Sequence, residues 1–302
     1  MSSGSKEAVL GLVILCGSIA FTAQARPPAG GAARPPVHLT VPPPAEETPT
    51  VARPRTLRVC ADPNDLPFSN DRGEGFENAI AEAVARELGW TVTYHWQPQR
   101  RGFIRTALRA GLCDVVIGIP TAFDRTRVTR PYYRSAFMLV SRRDRGLRVR
   151  SLDDPRLRRL RIGIEITGQD YSNPPAAMAL AARHIVDNVR GYMVFGNYAT
   201  AHPSWGVMEA VDRGDVDVAI AWGPLAGYYA RHAATPLDLT AVPSETRPRS
   251  IPFAFDISMG VRPQDGTLAA ALDWAIVRRA AEIGAILRTF GIPVVPRQEV
   301  QG

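Results

Sequence analysis

Residues that could bind a ligand lie in the loops just after the predicted strands. The loop that follows the first predicted strand carries Asp62, Asn64 and Phe68, and two prolines fix its backbone. Arg125 could hold a carboxylate through two parallel hydrogen bonds, and Trp222 could offer a flat amphipathic platform. A surface position for Arg125 and core packing for Trp222 are the alternatives. We predict a ligand-binding cleft lined by Asp62, Asn64, Phe68, Thr121, Arg125, Thr167, Gly168, Asp170 and Trp222.

The common catalytic motifs are missing from the sequence. It contains no Gly-x-Ser-x-Gly, no His-Glu-x-x-His and no glycine-rich phosphate loop, and its 5 histidines lack metal-ligand spacing. Asp62 and Asp65 could act as an acid–base pair, but a turn-forming role suits their loop better. We therefore expect no catalytic residues, no metal and no cofactor, and a binding protein rather than an enzyme.

Two segments that resemble each other indicate an internal repeat. Residues 111–120 read GLCDVVIGIP, and residues 214–224 read GDVDVAIAWGP. In each, a glycine ends a helical segment, an acidic residue follows, and a short apolar run leads to a proline. Such runs are typical of strands buried on both faces of a parallel α/β sheet. The alternative is that two buried strands merely look alike.

The elements around the repeat predict a two-lobed α/β fold. Each lobe is expected to be a mostly parallel sheet flanked by helices, with ligands bound beyond the carboxyl ends of the strands. Extended runs at 132–141 and 251–261 are expected to cross between the lobes and form a hinge. The other predicted elements include a strand at 57–61, a helix at 76–88, a strand at 92–96, a helix at 102–110 and one long amphipathic helix at 268–290.

The N-terminal residues resemble an export signal. Lys6 precedes an apolar run at 8–21, and Ala23-Gln24-Ala25 is a small-x-small cleavage site. The run is too short for a comfortable membrane span, so we expect no stable membrane insertion and a periplasmic location. The predicted organisation is a signal peptide at 1–25, a Pro/Ala-rich disordered tether at 26–55, lobe I at 56–140 and 252–296, lobe II at 141–251 and a tail at 297–302.

Cleavage after Ala25 would leave two cysteines, Cys60 and Cys113. Cys60 lies near the end of its predicted strand, whereas Cys113 lies just before the start of its own. In a parallel sheet, that stagger would exceed the roughly 7 Å that a disulfide allows between Cα atoms. A disulfide is therefore not favoured, although an oxidising compartment would permit one.

The positive charge of the chain comes almost entirely from arginine residues. The net charge is +7, and Lys6 is the only lysine. Nine arginines fall within the 20 residues of 142–161, which favours an acidic partner, with a solvated face as the alternative. Nucleic acid is a poor candidate for the partner, because the segment is exported and has no aromatic residues to stack on bases. We predict that Arg156, Arg158 and Arg159 dock a protein partner.

Residues 57–296 resemble the type 2 periplasmic solute-binding proteins. The segment GIPTAFDR at 118–125 lies where polar amino-acid receptors carry a strand end followed by an arginine. The resemblance implies that Arg125 would hold a ligand carboxylate. Amino-acid receptors also carry an aspartate, which binds the ligand ammonium, at the place of Trp222. A buried ammonium without a partner is costly, so this departure argues against amino-acid transport.

A narrower resemblance covers the whole predicted fold. The chain is similar to the quinoprotein dehydrogenase-associated substrate-binding proteins, the MoxJ/XoxJ-type accessory proteins of bacterial methanol oxidation. The segments that carry it are VCADPNDLPFSN (59–70), GFENAIAEAVARELG (75–89), PQRRGF (98–103), RPYYRS (130–135), SLDDPRLRRLRIGI (151–164), DVAIAWGPLAGYYA (217–230) and PFAFDISMGVR (252–262).

This resemblance implies a periplasmic, non-enzymatic factor that assists maturation or activation of a pyrroloquinoline quinone (PQQ)-dependent methanol or alcohol dehydrogenase without holding the quinone itself. It leaves open whether a small ligand or a peptide segment fills the cleft. A soluble receptor that delivers a solute to an ABC importer and a dehydratase-like enzyme on the same fold are the alternatives.

Overall fold

A computed structural model describes residues 55–166, 174–195, 198, 200–244 and 251–296. The predicted signal peptide, all but the last residue of the predicted tether, and the predicted tail lie outside the described residues. Within the described ranges, no helix is long and apolar enough to cross a membrane.

Strands and helices alternate along most of the described chain. In chain order they are β1 (Thr56–Ala61), β2 (Asn64–Asp65), β3 (Ser69–Asn70), α1 (Phe76–Leu88), β4 (Thr91–Trp96), β5 (Val115–Pro120), β6 (Arg127–Val128), β7 (Tyr133–Arg142), β8 (Ile162–Ile166), α2 (Pro175–Ala181), β9 (Val189–Met193), α3 (Gly206–Arg213), β10 (Val218–Trp222), α4 (Gly223–His232), β11 (Leu237–Ala241), β12 (Ala254–Val261), α5 (Gly266–Arg278) and α6 (Ala280–Thr289).

The main sheet has two halves of similar construction. In the first half, β4, β1 and β5 run parallel, and β12 lies antiparallel to β5. In the second half, β9, β8 and β10 run parallel, and β7 lies antiparallel to β10. The strand order is β4-β1-β5-β12-β7-β10-β8-β9. The predicted α/β fold with mostly parallel sheets flanked by helices is confirmed.

The long strand β7 belongs to both halves. Its first residues, from Tyr133 to Ala136, pair with β12, and its later residues pair with β10 and β11. The two extended runs predicted as crossings are therefore strands β7 and β12, which meet side by side. The exact lobe boundaries stay a prediction.

The internal repeat is built from the same contacts in both halves. Gly111 and Gly214 adopt left-handed conformations, with φ of 76° and 77°. The Asp114 N–H donates to the Arg58 carbonyl, and Arg58 pairs with the Asp114 carboxylate at 2.6 Å. In the second half, the Asp217 N–H donates to the Arg161 carbonyl, and Arg161 pairs with Asp217 at 2.8 Å. The acidic residue of each copy therefore ties the start of its strand to the neighbouring parallel strand.

Helix α1 positions the loop that follows β1. Its apolar face buries Phe76, Ile80 and Val84 against β1, β5 and the C-terminal helices. A Cβ atom at Gly75 would overlap the backbone of Phe68, so the glycine permits a close approach of the loop to the helix. At the other end, Gly89 ends the helix with φ of 66°.

Two predicted helices differ from the structure. The predicted single helix at 268–290 is divided into α5 and α6 at Arg279, whose side chain lies against Glu87 and Glu282. The apolar spacing continues across the break, and so the pattern did not reveal it. The predicted helix at 102–110 is a short π-helical turn, Ile104–Leu108.

The expectation against a disulfide is wrong. Cys60 and Cys113 are joined, with their Cα atoms 5.3 Å apart. The expected stagger assumed that the chain before β5 is extended. Instead, it turns after Gly111, and this brings Cys113 beside Cys60 in a small buried cluster with Phe103 and Leu108.

Candidate functional site

Asp62 anchors the loop that follows β1. The residue is only 1% exposed. Its carboxylate accepts hydrogen bonds from the backbone N–H groups of Asn64, at 2.9 Å, and Gln99, at 2.7 Å. A third bond, of 2.6 Å, comes from the Tyr198 hydroxyl. The turn-forming interpretation fits these contacts, since the donors already engage both carboxylate oxygens.

Other hydrogen bonds join the same loop to the segment between β9 and α3. The Asn64 amide donates to the Thr200 carbonyl at 3.0 Å, and the Trp205 indole N–H donates to the Leu66 carbonyl at 2.9 Å. Together with the Tyr198 bond, these contacts hold residues of the two sheet halves against each other.

A cavity of about 470 Å³ lies between the carboxyl ends of the strands. Its wall includes a cluster of rings in which Trp222 lies 5.3 Å from Phe137 and 5.9 Å from Phe255, measured between ring centroids. Of the predicted cleft residues, Phe68 and Trp222 line this cavity. Trp222 also packs against the core, so both interpretations of this residue describe part of its environment. We call this space the aromatic cavity; its aromatic lining residues are Phe68, Tyr133, Phe137, Phe195, Trp222 and Phe255.

Three carboxyl side chains also line the aromatic cavity: Asp65, Glu77 and Glu165. Burial, followed by the nearby Asp62, raises the pKa of Asp65 to about 7. Burial, reinforced by Asp65 and then Asp62, raises the pKa of Glu77 to about 8. Burial also raises the pKa of Glu165 to about 7, although this carboxylate accepts the Trp222 N–H at 2.9 Å. The aromatic cavity is therefore lined by three carboxyl groups whose ionisation is disfavoured by burial.

The remaining predicted cleft residues lie elsewhere or outside the described ranges. The Thr121 hydroxyl forms hydrogen bonds to β12 and does not line the aromatic cavity. It donates to the Asp256 carbonyl at 3.1 Å and lies 2.7 Å from the Ser258 hydroxyl. Asn64 borders a separate surface pocket. Arg125 does not line the aromatic cavity; it lines a neighbouring one. The predicted cleft residues outside the described ranges are Thr167, Gly168 and Asp170.

The neighbouring cavity, which we call the arginine cavity, has a volume of about 980 Å³. It shares Gln99, Pro120 and Phe195 with the aromatic cavity, so the two spaces adjoin. No acidic residue occurs among its described lining residues. Phe103, Val116, Ile119 and Phe123 provide apolar lining, and the charged lining residues are Arg100, Arg101, Arg105, Arg109 and Arg125.

The three arginines predicted to dock a partner lie at or beside a 3₁₀ turn, Pro155–Arg158. Arg156, Arg158 and Arg159 are exposed. Arg156 pairs with Asp154 at 2.6 Å, which compensates part of the positive charge of this surface.

Sequence reasoning missed Glu77 and Glu165 and considered Asp65 only as an acid–base or turn residue. A signal was present for Glu165, which interrupts the apolar strand IGIEI. An acidic residue within a strand buried on both faces needs either a partner or a ligand. Glu77 resembles an ordinary acidic residue in the first turn of a helix, and only the fold shows that it faces a cavity.

Comparisons with known proteins agree with this geometry. The sequence profile of the bacterial extracellular solute-binding proteins, family 3, matches residues 57–290. The chain is 33% identical to protein MoxJ of Methylorubrum extorquens over 248 residues, which cover 80% of this chain and 82% of that one. It is 29% identical to protein MoxJ of Paracoccus denitrificans, across 82% of this chain and 92% of the other.

Solved structures show the same fold. The periplasmic binding protein XoxJ from Methylobacterium extorquens AM1 superposes with a TM-score of 0.65 at 33% identity, covering 80% of this chain and all of that chain. MxaJ from Methlophaga aminisulfidivorans MPT superposes with a TM-score of 0.67 at 23% identity and covers 79% of this chain, which shows the shared fold.

Proposed function

Because the chain belongs to the bacterial extracellular solute-binding proteins of family 3, we propose that it acts in the periplasm as a binding-protein-like accessory factor. Its partner is a PQQ-dependent methanol or alcohol dehydrogenase, and it assists the maturation or activation of that enzyme. The observation that carries the proposal is the 33% identity to MoxJ across 80% of the chain. The match to XoxJ, at the same identity, supports it.

The arginine cavity supports a role in protein binding. Arg105, Arg109 and Arg125 are exposed, and none has a side-chain hydrogen bond or ion pair within the described residues. Guanidinium groups over an apolar floor suit an acidic segment that also buries apolar side chains, since arginine and aromatic residues are favoured at interfaces. A dehydrogenase surface with carboxylates would be attracted to this region before contact.

Delivery of a solute to an importer is the second candidate. The observation that favours it is the aromatic cavity, whose volume of about 470 Å³ is in the range of small-molecule sites. Trp222 at the end of β10 weighs against an amino-acid cargo, because it stands where amino-acid receptors place a carboxylate for the ammonium. A binding protein can keep a cavity for a ligand while it acts on a protein partner.

Affinity purification from periplasmic extract tests the proposal. Tagged protein should retain the dehydrogenase at low salt, and a deletion strain should contain dehydrogenase with a smaller active fraction that returns on complementation. Fully active dehydrogenase in the deletion strain would contradict the proposed role. A defect confined to uptake of one solute, with that solute bound to the purified protein, would favour the importer candidate instead.

A further inference from the structure

The lining of the aromatic cavity has an unusual combination of charges. Three of its described lining residues are acidic, and none is lysine or arginine. The rings of Trp222, Phe137 and Phe255 pack together and line the same cavity, with centroids 5.3 to 6.4 Å apart. Aromatic faces carry negative electrostatic potential, so rings and carboxylates here favour the same sign of ligand charge.

Glu77 is the carboxylate with the least compensation. The residue is 6% exposed and faces the cavity, and its side chain has no hydrogen bond or ion pair within the described residues. A Cβ atom at residue 118 would overlap the Glu77 carboxyl, so Gly118 leaves the space that this group occupies. Ionising a buried carboxyl that has no protein partner is costly, so Glu77 keeps its proton near neutral pH, and a ligand cation would offset that cost and stabilise the carboxylate.

The other two acids extend the negative region across the cavity. Glu165 accepts one backbone N–H, from Trp222, and this neutral donor would leave an ionised Glu165 without a compensating positive charge. The buried Ser204 hydroxyl, which also lines the cavity, has no hydrogen-bond partner within the described residues and brings no positive charge to Asp65. Asp65 comes from the loop after β1, Glu77 from α1 and Glu165 from β8, so both sheet halves contribute to the negative lining.

We propose that the aromatic cavity is a binding site for a small organic cation, with its ammonium group beside Glu77 and its apolar body against the Trp222, Phe137 and Phe255 rings. A charged pair shielded from water and a cation–π contact act together in such a site. A volume of about 470 Å³ accommodates a compact amine with one ring or a short branched chain.

The geometry favours an organic cation over two other ligand classes. No group of three acidic, histidine or cysteine residues within the described ranges is arranged to hold a metal ion. A zwitterionic amino acid would bring its carboxylate into a lining whose described residues include three acids and no cationic side chain. An amine with a carbon skeleton uses both the acids and the rings.

Titration calorimetry with charge-matched probes tests this inference on the mature chain. The probes are 2-phenylethylammonium against 2-phenylethanol, and choline against 3,3-dimethylbutan-1-ol, which pair a cation with a neutral molecule of similar shape. At least one cation should bind about tenfold or more tightly than its alcohol. Glu77→Gln, which keeps the size of the side chain, should remove this preference.

The matched control is Glu82→Gln, which makes the same change on the exposed face of the same helix and should leave cation binding unchanged. If Glu77→Gln does not fold, Glu165→Gln serves instead, since its amide oxygen can still accept the Trp222 N–H. Equal binding of cations and alcohols would overturn the inference. So would cation binding that neither cavity variant changes, or binding of lysine-containing peptides alone.

The inference concerns the cavity and does not rest on the dehydrogenase partnership. The calorimetry uses no partner protein, so its failure would leave the affinity purification unaffected. Conversely, a failed purification would not remove a cation preference measured in the isolated chain.

Discussion

The Tyr198 hydroxyl donates a hydrogen bond of 2.6 Å to the Asp62 carboxylate, and this bond connects the two halves of the molecule. Burial and the adjacent Asp62 both raise the pKa of Tyr198, so the phenol stays protonated and continues to donate. The guanidinium carbon of Arg100 lies 5.2 Å from the Tyr198 ring centroid. Tyr198 therefore lies where the loop after β1, the segment after β9 and a residue lining the arginine cavity meet.

Removing the Tyr198 hydroxyl should weaken this connection. Tyr198→Phe keeps the ring and removes one hydrogen-bond donor to the buried Asp62 carboxyl, which is expected to cost about 1 to 3 kcal/mol of unfolding free energy. Urea denaturation measures the loss. Tyr228→Phe is the control, because the Tyr228 hydroxyl has no hydrogen bond within the described residues. Equal stability of both variants would contradict a structural role for the bond.

The three cavity acids predict how stability depends on pH. Their pKa values in the folded protein are raised to between about 7 and about 8, from ordinary values of 3.8 and 4.5. The folded state therefore holds protons that the unfolded state has released between about pH 4.5 and about pH 8. Within this window, stability falls as pH rises, so the thermal midpoint at pH 5 should exceed that at pH 8 by about 5 °C or more.

The Arg–Asp pairs act in a different window. The Arg161 guanidinium lowers the pKa of Asp217 below its ordinary value of 3.8, so its contribution is lost only as pH falls through more acidic values. Glu77→Gln should flatten the dependence between pH 5 and pH 8, whereas Glu82→Gln should leave it unchanged. A midpoint that rises from pH 5 to pH 8 in the parent protein would refute this assignment.

The repeat was predictable from the sequence because the residues that define each copy are close together along the chain. Gly111 and Asp114, like Gly214 and Asp217, are three residues apart, and the glycine conformation and the strand start follow from that short spacing. The place of Glu77 was not predictable in the same way. It depends on Gly118, forty-one residues away along the chain, and on the cavity whose lining includes Glu165 of β8 from the other half.

The Cys60–Cys113 link predicts a stabilised protein that reductant weakens. The disulfide closes a loop with a sequence separation of 53 residues, for which the chain-entropy relation gives about 4 kcal/mol. The intact mass should rise by two hydrogen atoms on reduction by an added dithiol, and the thermal midpoint should fall. The third cysteine, Cys16, lies in the predicted signal peptide, so Cys16→Ser is the control in the uncleaved chain and leaves this pair in place. An unchanged mass after reduction under denaturing conditions would show that the bond is absent.

Free amino acids should bind weakly or not at all. Trp222 occupies the end of β10, and the described lining of the aromatic cavity offers no cation to an amino-acid carboxylate. Because the ligand carboxylate lacks a cationic partner, the dissociation constants should be weaker than about 1 mM, which corresponds to a binding free energy of about 4 kcal/mol. Titration calorimetry against the common amino acids measures this directly. Micromolar binding of any of them would contradict the argument and favour the importer candidate.

Two sets of arginines should differ in how they recruit an acidic partner. The first set, Arg156, Arg158 and Arg159, includes a guanidinium already paired with Asp154. The second set, Arg105, Arg109 and Arg125, lines a cavity without acidic lining residues in the described ranges. Replacing either set by serine removes the same three charges, so each triple variant controls for net charge in the other.

Surface-plasmon measurements with the dehydrogenase should show association that slows as salt rises from about 50 to about 500 mM, since screening weakens steering. Both triple variants should associate more slowly than the parent at low salt, and the cavity variant by the larger factor, on the order of 3- to 10-fold. Equal slowing would mean that net charge alone matters. Unchanged association in the first variant would exclude Arg156, Arg158 and Arg159 as a docking site, and unchanged association in the second would exclude the arginine cavity.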